Sequence, residues 1–407
     1  MRKELVVQKF GGTSVADVER IKEVAKRVAS YKHKGHHLVV VVSALGGSTD
    51  ELIKLAEQIT KKPPEREMDM LMATGEQISC ALLAMAIEEL GYDAIAFTGG
   101  QVGIITDRIH TKARIVRIDA KRIREALKKD QVVIVAGFQG ITRNADITTL
   151  GRGGSDLTAV ALAKTLNADV CEIYTDVEGI FSADPRIDRK SRKIHYITYD
   201  EMLEMASLGA QVMQARSIEL AKRFNISIHV RSSFSTKEGT MIVKESKKME
   251  EVVVRGVTLN KKEAKLTICD VPDRPGIAGK IFGEISKAGV NVDMIVQNVS
   301  HTRQTDISFT VPKSHLDKAL KISKKVSSQI KAGAVLKDAN VARISIVGVG
   351  MKSHPGIAAK MFKVLAENKI NIEMISTSEI SISCIIKRKF GNQAVKALNR
   401  KFNLIKR

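Results

Sequence analysis

The chain has 407 residues, 66 Lys and Arg against 45 Asp and Glu, 44% hydrophobic residues and no Trp. That apolar fraction supports real cores and excludes a wholly disordered chain; at roughly 100–200 residues per domain, the length predicts two to three domains. The net charge of +21 is uneven, with 36 basic and 32 acidic residues in 1–245 but 30 and 13 in 246–407.

The first part alternates strand-like and helix-like segments. Leu5–Lys9 reads as a strand and Asp17–Tyr31 as a helix, and Leu38–Ser43 is a continuous apolar run of the kind buried on both faces. Met68–Leu90 reads as a long helix, Ala94–Thr98 as a strand, Arg122–Lys129 as a helix and Val132–Phe138 as a buried strand. Asp156–Leu166 is then helical, Val170–Thr175 a strand, Tyr199–Phe224 helical and Ile226–Arg231 a strand. This rhythm argues for an α/β domain over residues 1–245, a largely parallel sheet sandwiched by helices. Its active-site loops would lie at the strands' carboxyl ends. The polar stretch Lys244–Glu251 reads as a linker.

Beyond the linker lies an internal repeat. Pro275-Gly276-Ile277-Ala278 recurs as Pro355-Gly356-Ile357-Ala358, and Val290-Asn291-Val292-Asp293-Met294-Ile295 recurs as Ile370-Asn371-Ile372-Glu373-Met374-Ile375. Each copy reads strand, helix entered through Pro-Gly, strand, strand, helix, which predicts two small α+β modules at 263–338 and 339–407. The second copy stops soon after its last helix. Residues 246–262 are therefore expected to give a linker and a strand, Glu251–Leu259, that completes the second module.

Lysines of the basic part recur at helical spacing (Lys318, Lys321, Lys324, Lys325), with no aromatics interleaved for base stacking, so nucleic acid is not an expected partner. No apolar run reaches the ~18 residues of a membrane span, and the N-terminus is not expected to be a signal peptide. Cys80, Cys171, Cys269 and Cys384 show neither metal nor redox spacing, which predicts a reducing, cytoplasmic setting and no protein-built metal site.

Three segments combine paired glycines with strand ends or helix starts: Lys9-Phe10-Gly11-Gly12-Thr13-Ser14, Ser43-Ala44-Leu45-Gly46-Gly47-Ser48-Thr49 and Gly151-Arg152-Gly153-Gly154-Ser155-Asp156. Glycines let backbone approach an anion, and helix N-termini offer free N–H donors, so together they point to a phosphorylated ligand. None is a Walker A loop or a G-x-G-x-x-G fingerprint. Taken singly, Asp156 could be a helix N-cap, and Asp176 and Asp184 turn formers.

The run Lys9 to Val15, the motif Ala73-Thr74-Gly75-Glu76, the run Thr149 to Asp156 and Ala183-Asp184-Pro185-Arg186 closely resemble motifs of the aspartate kinases, a family with the amino acid kinase fold. The duplicated unit resembles their tandem ACT domains, as in the lysine- and threonine-sensitive monofunctional type, so the likeness covers nearly the whole chain. Glu178 stands where Asp is expected and Phe181 where Tyr is common, and the C-terminus looks about ten residues short.

The resemblance implies ATP-dependent phosphorylation of the β-carboxylate of L-aspartate to 4-phospho-L-aspartate, the first step of lysine, threonine and methionine biosynthesis. Lys9 would neutralise the transferring phosphoryl group, with Phe10, Gly11 and Gly12 around it, and Asp156 would orient Lys9 or the metal region. Ser43 would contact nucleotide, as would Thr175, Asp176, Phe181, Ser182, Ala183, Asp184, Pro185 and Arg186. Thr49, Glu76, Arg152, Gly153, Gly154 and Ser155 would hold aspartate, Glu76 suiting its ammonium and Arg152 a carboxylate. Mg²⁺ would arrive on the ATP phosphates. In the first ACT unit, Asn291, Val292, Asp293 and Gln297 would contact effectors. In the second, Ile357, Ala358, Asn371, Ile372, Ser378 and Glu379 would do so, with lysine and threonine as the effectors. The assembly would be a homodimer through the ACT domains, or α₂β₂ with a β subunit begun internally at Met249. Two rivals stand beside this reading: another amino acid kinase of the same architecture, and a catalytically silent amino-acid sensor.

Overall fold

The computed structural model describes residues 3–210, 212–244, 254–298, 303–349, 351 and 354–406. It divides into two compact units, one of Met1–Ile180, Lys193–Ala206 and Gln211–Met249, the other of Phe181–Arg192, Ser207–Ala210 and Glu250–Arg407.

An eight-stranded sheet organises the first unit. Leu5–Phe10 lies at its centre, parallel to both His37–Val42 and Val170–Thr175. Val132–Ala136 and Ala94–Phe97 extend one side in parallel, and Ile228–Ser232 the other. Thr240–Val243 turns antiparallel against Ile228–Ser232 and carries the edge strand Tyr196–Thr198. Five of the six residues of His37–Val42 are buried, because helices cover both faces.

Val18–His33 and Glu65–Glu88 pack on the face to which Val6 and Phe10 point. The first of these begins where Asp17 accepts the Arg20 N–H at 2.9 Å. Side chains alternate along a strand, so Lys9 points to the opposite face, where Gly154–Leu166 lies. Glu65–Glu88 is long and apolar enough to cross a membrane, with a mean hydropathy of 1.5 over 18 residues, so one segment does exceed the expectation from the sequence. Its buried positions 69, 72, 73, 75, 76, 79, 80, 83, 84 and 87 largely follow helical spacing and make it a core helix.

Two expectations change. The helix read over Tyr199–Phe224 is two helices, Tyr199–Ser207 and Ala215–Phe224, because Ser207–Ala210 folds with the second unit. A four-stranded sheet of Ile115–Ile118, Ile104–Thr106, Gln139–Ile141 and Ile147–Thr149 also joins the first unit. Its strands of three or four residues are too short to show a period.

The second unit contains the repeat. In the first module Glu263–Pro272 pairs antiparallel with Gln304–Pro312 and Val335–Asp338, and Ile295–Gln297 forms the outer edge. In the second, Val341–Val347 pairs with Ser381–Lys387, beyond which lies Met374–Thr377. The place that Val335–Asp338 fills in the first module is taken in the second by Gly256–Asn260, which precedes both modules in the chain. Residues 251–253 of the expected closing strand lie outside the described residues. Helices Ile277–Lys287 and Ile357–Glu367 are entered through Gly276 and Gly356 at φ +91° and +93°, a left-handed turn that explains why the repeat keeps glycine there.

Candidate active site

A cleft of about 450 Å³ opens in the first unit at the carboxyl ends of its central strands. It is lined by Lys9, Gly12, Thr13, Ser43, Ala44, Leu45, Gly46, Gly47, Thr49, Glu76, Phe138, Gly153, Gly154, Ser155 and Asp156. All three glycine loops therefore meet in one place. The geometry follows from strand register: Lys9 is paired with Val41 on one side and Ile173 on the other, so each chain leaves the sheet at a similar level.

Lys9 Nζ lies 2.6 Å from Asp156 Oδ1, with both side chains nearly buried (12% and 9% exposed). Asp156 sits in the first turn of Gly154–Leu166, whose free N–H groups give the cleft a positive end. Ser48–Ile59, entered through Gly47, brings a second helix N-terminus to the same loops. One lysine and two helix starts make this a site for a highly charged anion. Gly153 is obligatory here: its φ is +69°, and a Cβ would fall 1.6 Å from Gln214 Cγ.

Glu76 supplies the opposite polarity. It is 4% exposed, accepts the Ala44 N–H at 3.2 Å through Oε1, and has no hydrogen-bond partner for Oε2. Burial pushes its carboxyl up to about 7, against the pull of the backbone donors. A cation bound beside it would supply the missing partner.

Of the residues singled out from sequence, Lys9, Gly12, Ser43, Thr49, Glu76, Gly153, Gly154, Ser155 and Asp156 line the cleft. Gly11 adjoins it, since a Cβ there would lie 3.4 Å from Lys9 Nζ. Phe10 turns its ring into the core, stacked on Tyr174 at 4.6 Å, so only its backbone can face a ligand. Arg152 is exposed and, among the described residues, its guanidinium has no hydrogen bond. Thr175 ends its strand and donates to Asp176 at 3.0 Å.

Phe181–Arg186 folds with the second unit. There Ser182 is buried, donating to Leu404 O at 2.7 Å and Asn399 Oδ1 at 3.1 Å, and Ala183 joins the core of the second module. Asp184 and Arg186 pair with each other nearer the surface. Sequence reasoning placed Ala44 only within a glycine segment, with no role of its own, and did not single out Phe138. Phe138 sits at φ +67°, a costly conformation for an aromatic residue that clusters at functional sites, and nothing in the sequence marks it.

The expected effector residues are split by exposure. Asn291, Gln297 and Asn371 are exposed, while Val292, Ile357, Ala358 and Ile372 pack partly into their modules' cores. Asp293 is held by Arg343, and Ser378 and Glu379 form the exposed turn before Ser381, with the Ser378 and Ser381 hydroxyls 2.9 Å apart.

Residues 4–232 match the amino acid kinase family, and 270–325 and 344–402 match the ACT domain. This defines a phosphotransferase of the amino acid kinase class that carries ACT domains. The aspartokinase of Pseudomonas aeruginosa is 52% identical over 402 residues, covering 98% of each chain, and an aspartate kinase of Stutzerimonas stutzeri is 51% identical over 401 residues, covering 98% of this chain and 97% of that one. E. coli aspartokinase III, solved with aspartate and ADP, matches at TM-score 0.81 and 25% identity over 98% and 99% of the two chains. The same enzyme solved with lysine and aspartate matches at 0.77 and 26% over 99% and 100%. The chain belongs to the aspartokinases, and it phosphorylates the β-carboxylate of L-aspartate.

Proposed function

We propose that the cleft divides the substrates between its two polarities. Lys9, oriented by Asp156, neutralises the phosphoryl group in flight, with the Gly11 and Gly12 amides and Ser43 on the nucleotide. The acceptor is already a carboxylate, so no general base is needed and catalysis consists of positioning and charge. Glu76 and Thr49 hold the ammonium side of aspartate, while Arg152 and the Gly153–Ser155 amides hold its carboxylates. Thr175 and Asp176 extend the nucleotide side of the cleft. Mg²⁺ would come with the ATP phosphates, with Asp156, which lines the same cleft, as the carboxylate that would face it; among the described residues no cage of three or more ligands is preformed.

The observation that carries this reading is the Lys9–Asp156 pair facing the same cleft as a buried, half-unpaired Glu76. ADP release measured with aspartate, glutamate, acetylglutamate or no acceptor tests it. Release with aspartate alone is expected, and release without acceptor, or better with another acid, would remove it.

The regulatory part of the reading is feedback by lysine and threonine at Asn291–Asp293 and Gln297, and at Ile357, Ala358, Asn371, Ile372, Ser378 and Glu379. It includes a homodimer through the ACT modules, which is supported by the outer edge of Ile295–Gln297, unpaired among the described residues, with Ile295 51% exposed. An α₂β₂ form begun at Met249, outside the described residues, is the other assembly. A cytoplasmic location fits four free cysteines.

A further inference from the structure

Asp69 is fully buried on Glu65–Glu88, on the same face as Glu76 and two turns before it. Three residues from two chain segments converge on its carboxylate. The Thr149 hydroxyl donates to Oδ1 at 2.5 Å, and the Thr111 N–H lies 3.0 Å from each oxygen. His110 Nδ1 lies 2.8 Å from Oδ2.

These partners lead straight to the cleft. Thr149 opens the run that supplies Gly153, Gly154, Ser155 and Asp156. Ala113 donates its N–H to Thr149 O at 2.9 Å, which ties the turn after His110 to that run. Thr111 itself is held at φ +62°, an outlier for a β-branched residue, which persists only where its surroundings impose it. None of these bonds reaches Gly11, Gly12 or Ser43, on the nucleotide side.

We infer that Asp69 is a positioning residue for the acceptor half of the site, fixing the spacing between Glu76 and the Gly153–Ser155 loop. Glu76 sits on the helix that carries Asp69, and Gly153–Ser155 form the entry to Gly154–Leu166; the Asp69–Thr149 bond, beside the Gln139 side chain that donates to Ala73 O, ties that helix to the run leading into the second. The inference rests on the reading that these groups hold aspartate. Misplacement of either by a fraction of an ångström weakens aspartate binding and leaves ATP binding alone.

The test is steady-state kinetics of the full chain with Thr149→Val, Thr149→Ser and Asp69→Asn. Thr149→Val should raise the KM for aspartate roughly ten-fold, with the KM for ATP within about two-fold. Thr149→Ser, which restores the hydroxyl, should return it to near wild type, and Asp69→Asn should exceed Thr149→Val because the Thr111 N–H and His110 also lose the charge. Should Asp69→Asn fail to fold, the two Thr149 variants decide. Parallel rises in both KM values, or a wild-type aspartate KM in Thr149→Val, would overturn the inference. Glu76→Gln separates the two levels: an unchanged aspartate KM there removes the underlying reading, whereas a raised one beside a silent Thr149→Val removes the role of Asp69 alone.

Discussion

Asp293 and Arg343 pair across the two modules of the second unit, Oδ2 to Nη1 at 2.6 Å, and the repeat makes the same bond with the modules exchanged. Glu373, the counterpart of Asp293, pairs with Lys265, the counterpart of Arg343. The equivalence is set by register: Lys265 lies opposite Thr310, whose carbonyl accepts the Asp293 N–H, and Arg343 lies opposite Ile385, whose carbonyl accepts the Glu373 N–H. Met294 and Met374, next in each copy, share one apolar cluster with Val341 and Ile385. An acid expected to meet an effector's ammonium thus already has a cation, and ligand binding there must compete with the junction between the modules.

Arg343 is 3% exposed and also holds Glu263 at 2.8 Å, whose carboxyl burial pushes up to about 7. Arg343→Met should therefore strand a buried acid, at a cost of about 3–5 kcal/mol. The cost should be smaller at pH 6 than at pH 8, because Glu263 can take a proton as the pH falls. Urea unfolding at the two pH values checks this; equal losses would show that Glu263 does not feel the missing charge.

Lys9→Ala should keep the fold, since a strand-end lysine contributes little to the core, yet lower kcat roughly 10²–10³-fold. Arg152→Ala should raise the KM for aspartate before it affects kcat, if its guanidinium grips a carboxylate in ground and transition states alike. Circular dichroism and initial rates on the same preparations separate folding from chemistry.

The parallel core was legible because His37–Val42 and Val132–Ala136 are unbroken apolar runs, and the modules because Pro-Gly recurs where Gly276 and Gly356 need left-handed backbone. The cleft was legible because its anion-binding parts are glycines at strand ends. What stayed hidden lies in long-range pairing. Ser182 shows its role only beside Asn399 and Leu404, and Asp69 only beside Thr111 and Thr149. Phe138 reads as the end of a strand, and only the folded backbone puts it at positive φ.

Regulation gives a prediction that depends on two ligands. If lysine and threonine each favour one arrangement of the modules, the first binds against the cost of rearrangement and the second finds it already made. A coupling of ~1–3 kcal/mol would give about 5–150-fold synergy. Glu379→Ala should weaken the effect of lysine and leave uninhibited activity intact. Inhibition by both ligands no greater than the product of their separate effects would exclude a concerted mechanism.

If Glu76 holds the ammonium of aspartate, as proposed, aspartate binding depends on pH. Its carboxyl titrates near 7 in the folded chain and near 4.5 when unfolded, so between these values the folded form holds the extra proton. Its contribution to stability is therefore greatest below about pH 4.5 and falls as the pH rises to about 7, by an amount on the order of 3 kcal/mol. Binding runs the other way, because the ammonium of aspartate prefers the ionised carboxylate. The KM for aspartate should fall as the pH rises from 6 to 8, and aspartate should release a proton on binding near pH 7. Glu76→Gln should raise that KM, flatten its pH dependence and remove the proton release seen by calorimetry in buffers of different ionisation enthalpy. A pH dependence that survives in Glu76→Gln would assign the titrating group elsewhere.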